Sequence, residues 1–170
     1  MTISKEWHGF DLTEEQLTLL EWVRDFCRKE IRPAGPQWHK AQATPWPIIR
    51  KAAECELYSE HFFKQLFLDP TGLLPALVIE ELFWADAGIA LALFGTGLPA
   101  AAIIANGTGN PSMEELGIEG KGQQGKWLPE CFGTADNPRV AAFATSESDA
   151  GSDVSGMRTT AVYDEKSDTW

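Results

Sequence analysis

The chain has 170 residues, of which 44% are hydrophobic and 23% are charged, values typical of a globular protein with a core. That length fits one domain, or one domain with a piece of a second. The formal net charge of −11 speaks against nucleic acid as a partner, because a phosphate backbone requires an excess of lysine and arginine. An anionic ligand must therefore be held by a local positive spot or by backbone donors.

Three cysteines and the N-terminal residues indicate the compartment. Cys27, Cys55 and Cys131 are odd in number and far apart, as expected of reduced packing residues in a reducing compartment. The N-terminus has no basic-then-apolar signal pattern, and we find no run of about 18 apolar residues that would span a bilayer. We therefore expect a cytoplasmic protein without a membrane span.

A capping box predicts the first helix. Residues 1–12 are expected to be an irregular lead-in, after which Thr13 is the N-cap and Gln16 its partner three residues on. Apolar pairs recur every three to four residues up to Cys27, and the helix is expected to stop near Ile31, ahead of Pro33. The side chains expected to point outward are Glu21, Arg24, Asp25 and Lys29.

Further helices are predicted through the middle of the chain. Pro45-Trp-Pro47 is expected to start the second one, residues 58–69 are ambiguous between a short helix and a loop, and the helical pattern returns after Gly72. On that helix Glu80 and Glu81 are adjacent and point about 100° apart, so a solvated face is favoured over a catalytic pair. Gly88 is expected to separate it from residues 89–105, a buried central helix.

Strands are predicted only near the C-terminal end. Residues 106–111 end the central helix, residues 112–123 look like an inserted surface segment, and residues 124–132 form a last helix stopped by Gly133. The apolar run 140–145 predicts a buried strand, and residues 159–163 its return partner. The fold class is therefore α+β, with a helical domain over 1–136 and the beginning of a β-domain over 137–170.

Several weaker patterns favour packing over chemistry. Gly95-Thr-Gly-Leu-Pro-Ala100 imitates a dinucleotide-binding fingerprint, but that motif needs a preceding strand and this segment is predicted to be helical. We interpret the glycines as permitting close helix packing or a bend. The histidines are scattered and predict no metal site or hydrolase triad. For three tryptophans core or interface packing is the ordinary explanation: Trp22, Trp84 and Trp127.

The sequence 146–153 crowds hydroxyls and carboxylates around Gly151. Such a loop can aim several backbone N–H groups and hydroxyls at one point, as phosphate sites do. It can equally be an ordinary polar turn, because the same residue types are common there. Composition alone leaves both interpretations open.

The segment Thr145-Ser-Glu-Ser-Asp-Ala-Gly-Ser-Asp-Val-Ser-Gly-Met-Arg-Thr159 resembles the signature of the acyl-CoA dehydrogenase family, T-E-P-G-A-G-S-D followed by a small residue, glycine, an aliphatic and a basic residue. The chain departs from it at Ser146, Ser148 and Asp149, where the family has Thr, Pro and Gly, although Ser146 keeps a hydroxyl. Shorter matches are Thr13-Glu-Glu-Gln-Leu, Glu80-Glu81-Leu and Gly125-Lys-Trp-Leu-Pro-Glu. The resemblance covers residues 11–170.

The resemblance implies an N-terminal helical domain, a β-barrel-like middle domain and a C-terminal helical domain, the last absent here. It also implies FAD as cofactor and an acyl-CoA thioester as substrate. A glutamate from the later helical domain removes the Cα proton while flavin N5 accepts the Cβ hydride. Carried over by motif, the cofactor-contacting residues are Phe143, Ala144, Thr145, Ser146, Gly151 and Ser152, and Ser152 also lies beside the CoA arm. The 88–105 helix would form part of the acyl pocket wall.

The same resemblance implies partners and limits. Electrons would leave to an electron-transfer flavoprotein, and the protein would be a homo-oligomer, such as a tetramer, or a hetero-oligomer with a related chain. No catalytic residue is expected in this chain, so residues 1–170 alone are predicted to be inactive. The alternative from another class is a catalytically silent helical module that keeps the fold in order to dock a partner.

Overall fold

A computed structural model of the protein describes residues 11–106 and 123–169. The described residues form eight α-helices and two short turns of other helix types. The helices are α1 Glu14–Phe26, α2 Arg32–Ala41, α3 Trp46–Glu54, α4 Glu60–Phe67, α5 Leu73–Ala85, α6 Ala87–Phe94, α7 Gly97–Asn106 and α8 Gln123–Phe132. A π-helical turn, Cys27–Ile31, joins α1 to α2, and a 3₁₀ turn, Val154–Gly156, lies in the C-terminal segment. The inserted segment expected at 112–123 falls mostly outside the described residues.

The start of α1 confirms the predicted capping box. The Gln16 N–H donates to Thr13 Oγ1 at 3.1 Å, and the Thr13 N–H donates to Gln16 Oε1 at 3.0 Å. Two of the helix's first N–H groups are thereby satisfied. The Gln16 amide also donates to Asp69 and Thr71, each at 3.3 Å, so the same residue ties α1 to the loop before α5.

The helical conformation that begins with α1 does not stop near Ile31, so that expectation was wrong. In the π-helical turn the Arg32 N–H donates to the Cys27 carbonyl, five residues back, which restarts the register. Pro33 then falls in the first turn of α2, where its missing N–H costs no helical bond. The chain therefore stays helical until Gln42, whose left-handed conformation ends α2.

The break after α5 falls at Asp86 and not at Gly88. Asp86 has extended backbone and its Oδ1 accepts from the Ile89 N–H at 2.8 Å, which caps α6. The expected single central helix is two helices, and their apolar surface is only partly covered, since Leu91 is 61% and Leu98 59% exposed. By length and composition alone Ala87–Ala105 could cross a membrane, contrary to expectation, but core helices of soluble proteins meet the same test.

The core lies where α5 contacts α1 and α6, and where α8 contacts α4 and α7. Three aromatic rings pack together in the second of these regions. The Phe132 ring centroid lies 5.4 Å from that of Tyr58 and 4.9 Å from that of Phe63. Burial of each such side chain contributes about 1.5–3 kcal/mol. Gly97 allows the close approach, because a Cβ there would lie 2.5 Å from the Phe63 ring.

A buried ion pair joins α1 to α5. Arg24 is 7% and Glu81 1% exposed, so the prediction that both face solvent was wrong. The Arg24 Nη2 donates to Glu81 Oε1 at 2.6 Å, and Arg24 Nε faces the other carboxylate oxygen. The guanidinium also lies 4.1 Å above the Trp84 ring. The two charges compensate each other across the helix interface. A hydrophobic pattern within a single helix cannot predict such a pair, because the partner lies on another helix.

The predicted β-domain strands are not formed, so the α+β fold class was wrong. Within residues 123–169 backbone pairing outside helices and turns is limited to isolated bridges, Gly133 with Pro138, Glu147 with Ala150 and Asp164 with Thr169. A strand requires a neighbour with which to exchange hydrogen bonds, and each of these bridges closes only a local turn. The N-terminal helical domain agrees with the structure, and the domain boundary at 136 stays a prediction.

The buried ion pair generates the first prediction. Glu81→Leu should cost about 3–5 kcal/mol of unfolding free energy, because it leaves a buried guanidinium without its carboxylate. Replacing both partners, Arg24→Met with Glu81→Leu, should recover most of that loss. Denaturant unfolding measures both.

The matched control is Asp25→Ala, which removes an exposed partner of Lys29 on the same helix and should cost less than about 1 kcal/mol. An equal cost for Glu81→Leu and Asp25→Ala would contradict the role given to the buried pair.

Candidate functional site

A tight reversal after α8 sends the chain back across the helices. Gly133 has φ +72°, and a Cβ there would lie 2.3 Å from the Asn137 carbonyl oxygen, so the position requires glycine. The Arg139 N–H donates to the Phe132 carbonyl at 2.8 Å. The last helix predicted from sequence is thus confirmed, together with the glycine that stops it.

Two buried hydroxyls receive the returning segment. Tyr58 and Thr96 are 2% and 1% exposed, and their hydroxyl oxygens lie 2.7 Å apart. The Tyr58 hydroxyl donates to the Arg139 carbonyl at 2.5 Å, and the Ala141 N–H donates to Thr96 Oγ1 at 3.1 Å. Burial raises the pKa of Tyr58 to about 12, so the phenol is a neutral donor at physiological pH.

The next residues carry the first four predicted cofactor contacts, and they are open to solvent. Phe143 is 51% exposed, Ala144 and Ser146 are exposed, and Thr145 is half-buried. Neither the backbone N–H groups nor the hydroxyls of Thr145 and Ser146 are hydrogen-bonded to another described residue. These donors are therefore available to a group that approaches from outside.

Residues 147–159, which we call the motif loop, are closed by one carboxylate. Glu147 exchanges backbone hydrogen bonds with Ala150, at 2.9 and 3.3 Å. Its side chain accepts from the Arg158 N–H at 2.8 Å and the Thr159 N–H at 3.0 Å. The N–H groups of Arg158 and Thr159 lower the pKa of Glu147 because they stabilise the charged form. Both ends of the loop are thus held by Glu147.

The Glu147–Ala150 bridge brings the two groups of predicted contacts together. Ser146 precedes Glu147 and Gly151 follows Ala150, so the bridge brings the backbone at these two positions close together. Gly151 and Ser152 are exposed, and a Cβ at Gly151 would meet nothing within 4 Å. The exposed residues next to this bridge carry hydroxyls, N–H groups and an open glycine, the types of donor that can hold a pyrophosphate. Within the described residues neither Phe143 nor Ala144 is hydrogen-bonded to Ser152.

Sequence reasoning missed three residues that position this surface. Tyr58 lay in the segment left ambiguous, Thr96 lay inside a predicted helix, and Glu147 lay inside the motif without an assigned role. The glycines on either side of Thr96 were interpreted as permitting close packing, and Gly97 does lie against the Phe63 ring, but no pattern indicated a role for the Thr96 hydroxyl. No pattern indicated the partner of Tyr58, which is far away in sequence.

An apolar cavity of about 360 Å³ lies between α4 and α7. Its lining residues are Lys64, Phe67, Leu68, Ala101, Ile104 and Ala105. A second groove of about 810 Å³ runs between the α2–α3 loop and α6, with Trp38, Leu91 and Ala92 on its walls. Both open on the α6–α7 stretch that was expected to form an acyl pocket wall, and neither is lined by the motif loop.

The described residues thus define an all-helical domain followed by an exposed, donor-rich loop. The family model of the acyl-CoA dehydrogenase N-terminal domain matches residues 13–111. The chain belongs to the acyl-CoA dehydrogenase family. The matched range covers α1 to α7, and the motif loop lies beyond it.

Curated relatives extend the similarity to about nine tenths of the chain. A probable medium-chain specific acyl-CoA dehydrogenase of Caenorhabditis briggsae is 26% identical over 153 residues, 89% of this chain and 34% of the relative. An acyl-CoA dehydrogenase of Bacillus subtilis is 29% identical over 159 residues, 89% and 36% of the two chains. A cyclohex-1-ene-1-carbonyl-CoA dehydrogenase of Syntrophus aciditrophicus is 31% identical over 155 residues, 89% and 34%. The chain thus spans about a third of these relatives, and no solved structure matches it significantly.

The hydrogen bonds from the Arg158 and Thr159 N–H groups to the Glu147 carboxylate, which we call the Glu147 clamp, generate the second prediction. The pKa of Glu147 lies below its ordinary value of 4.5. The stabilisation of the motif loop by the Glu147 carboxylate is therefore present above pH 4.5, and it is lost as pH falls through the lowered pKa. The amide proton shifts of Arg158 and Thr159, followed by NMR, should titrate together with a midpoint below 4.5. Glu147→Gln should remove that titration, whereas Glu165→Gln, outside the loop, should leave it unchanged. A midpoint at or above 4.5 would contradict the clamp.

Proposed function

We propose that this chain is the N-terminal part of an FAD-dependent acyl-CoA dehydrogenase that introduces an α,β double bond into an acyl-CoA thioester. The observation that carries the proposal is that the donors of Thr145, Ser146, Gly151 and Ser152 have no hydrogen-bond partner among the described residues, in a chain that belongs to this family. The names of the relatives, all acyl-CoA or related CoA-ester dehydrogenases, support the same reaction class.

The roles proposed for the chain's own residues are binding and orientation. The N–H groups and hydroxyls of Thr145 and Ser146 would hold the flavin ring, with Phe143 and Ala144 on the approach to it. Gly151 and Ser152 would hold the pyrophosphate, and Ser152 would also lie beside the CoA arm. Donors fixed in advance stabilise negative charge that develops during the reaction more than they stabilise the ground state.

When bound, FAD would accept the hydride from Cβ of the substrate. We propose that the Cα proton is taken by a glutamate outside residues 1–170, so this chain alone would be inactive. The α6–α7 stretch would form one wall of the acyl pocket, consistent with its partly uncovered apolar surface. We further propose an electron-transfer flavoprotein as electron acceptor, a cytoplasmic location, and a homo-oligomer or a hetero-oligomer with a related chain.

The third prediction follows from the proposed pyrophosphate site. The 170-residue chain mixed with FAD should perturb the visible flavin absorption bands, and Ser152→Ala should weaken FAD binding by roughly tenfold or more, the effect of losing one hydrogen bond to a charged group. Flavin fluorescence titration measures the change.

The matched control is Ser148→Ala, an exposed serine of the same loop with no assigned contact, which should leave the affinity unchanged. Equal affinities for the wild-type, Ser152→Ala and Ser148→Ala proteins would contradict the site. A chain that leaves the flavin spectrum unperturbed would instead favour the catalytically silent helical module.

A further inference from the structure

The hydrogen bonds around Tyr58 have only one possible direction. A carbonyl oxygen cannot donate, so the Tyr58 proton is committed to the Arg139 carbonyl, 2.5 Å away. In the 2.7 Å contact between the two hydroxyls, Thr96 must then be the donor. Thr96 Oγ1 in turn accepts from the Ala141 N–H at 3.1 Å. The order of donation is therefore Ala141 N–H, Thr96 hydroxyl, Tyr58 hydroxyl, Arg139 carbonyl.

This hydroxyl relay begins and ends on the same short stretch of backbone. Both hydroxyls are nearly inaccessible to water, so a partner lost from the relay leaves a buried polar group unsatisfied. Neighbouring bonds in a chain of this kind polarise and strengthen one another. The relay thus fixes the position and the direction of residues 139–141 on the helical domain.

The helical side of the relay is held by packing. Phe132 lies against the Tyr58 ring, and Phe63 presses on Gly97, the residue after Thr96. Thr96 lies between α6 and α7, the stretch proposed as a wall of the acyl pocket. The relay therefore connects that wall to the segment that enters the donor surface at Phe143.

We propose that Tyr58 and Thr96 are positioning residues that place the Thr145 and Ser146 donors against the flavin ring, an inference that rests on the proposed function. Neither residue touches the cofactor. Their hydroxyls act through residues 139–141, so the proposal concerns the geometry of the bound flavin and not only the stability of the helical domain.

The fourth prediction tests this role with paired variants of the 170-residue chain. Tyr58→Phe and Thr96→Val keep the shape and remove one hydroxyl each. Each should weaken FAD binding by roughly tenfold, because displaced Thr145 and Ser146 donors would lose about one hydrogen bond to the flavin. The double variant should lose little more than either single one, because both break the same relay. Thr96→Ser, which keeps the hydroxyl, should restore the wild-type affinity.

Two further measurements separate positioning from simple destabilisation. At saturating FAD, Tyr58→Phe should change the shape of the visible flavin bands, and without FAD it should increase hydrogen exchange at the Ala141 amide. Leu20→Ala, at a fully buried position of α1 outside the relay, should lower stability and leave both the bound flavin spectrum and the affinity unchanged. Tyr163→Phe, the same change at an exposed tyrosine, should alter none of these.

The outcomes are distinguishable. If the wild-type chain binds FAD but Tyr58→Phe and Thr96→Val bind it with unchanged affinity and spectrum, the positioning role is wrong and the proposed function stands. If Thr96→Ser behaves like Thr96→Val, the hydroxyl is not what matters and the inference is wrong. If the wild-type chain leaves the flavin spectrum unperturbed, the proposed function and the inference fall together.

Discussion

The need to satisfy two hydroxyls in a dry interior determines how the C-terminal segment lies on the helices. Tyr58 and Thr96 come from different parts of the bundle, and each has its remaining hydrogen-bonding capacity directed at residues 139–141. An unsatisfied buried hydroxyl is costly, so the segment cannot slide along the helical surface without breaking the bonds. The turn at Gly133 directs the chain to residues 139–141, and their bonds to Tyr58 and Thr96 fix where the following residues begin on the helical surface.

Local patterns in the sequence were sufficient for most of the helices. The Thr13–Gln16 capping box, the start at Pro45 and the stop at Gly133 each depend on residues close in sequence, and the structure agrees with them. The boundaries that failed depend on competition between nearby signals. Pro33 predicted an end that a π-helical turn avoids, and Gly88 predicted a break that Asp86 makes two residues earlier.

Features that depend on a partner distant in sequence could not be predicted. Arg24 and Glu81 are polar by type and buried by pairing, so a helical wheel places both on the wrong face. The apolar run at 140–145 has the composition of a strand, but strand formation depends on a neighbouring strand, and here the Ala141 N–H donates to the Thr96 hydroxyl instead. The motif was recognisable because its residues are contiguous in sequence. Tyr58 and Thr96, which hold the segment before it, are distant in sequence and were not predicted.

The acidity of the chain bears directly on how the loop could accept an anion. The motif loop contains three carboxylates, and each is turned toward a donor of the loop itself. Glu147 accepts two backbone N–H groups, Asp153 accepts from the Ser155 hydroxyl and N–H, and Asp149 lies 3.6 Å from the Arg158 guanidinium. Donation from Ser155 lowers the pKa of Asp153, so the negative charge is retained but locally compensated. Gly151 and Ser152 are left with open donors, which allows a strongly acidic protein to present a surface suited to phosphate.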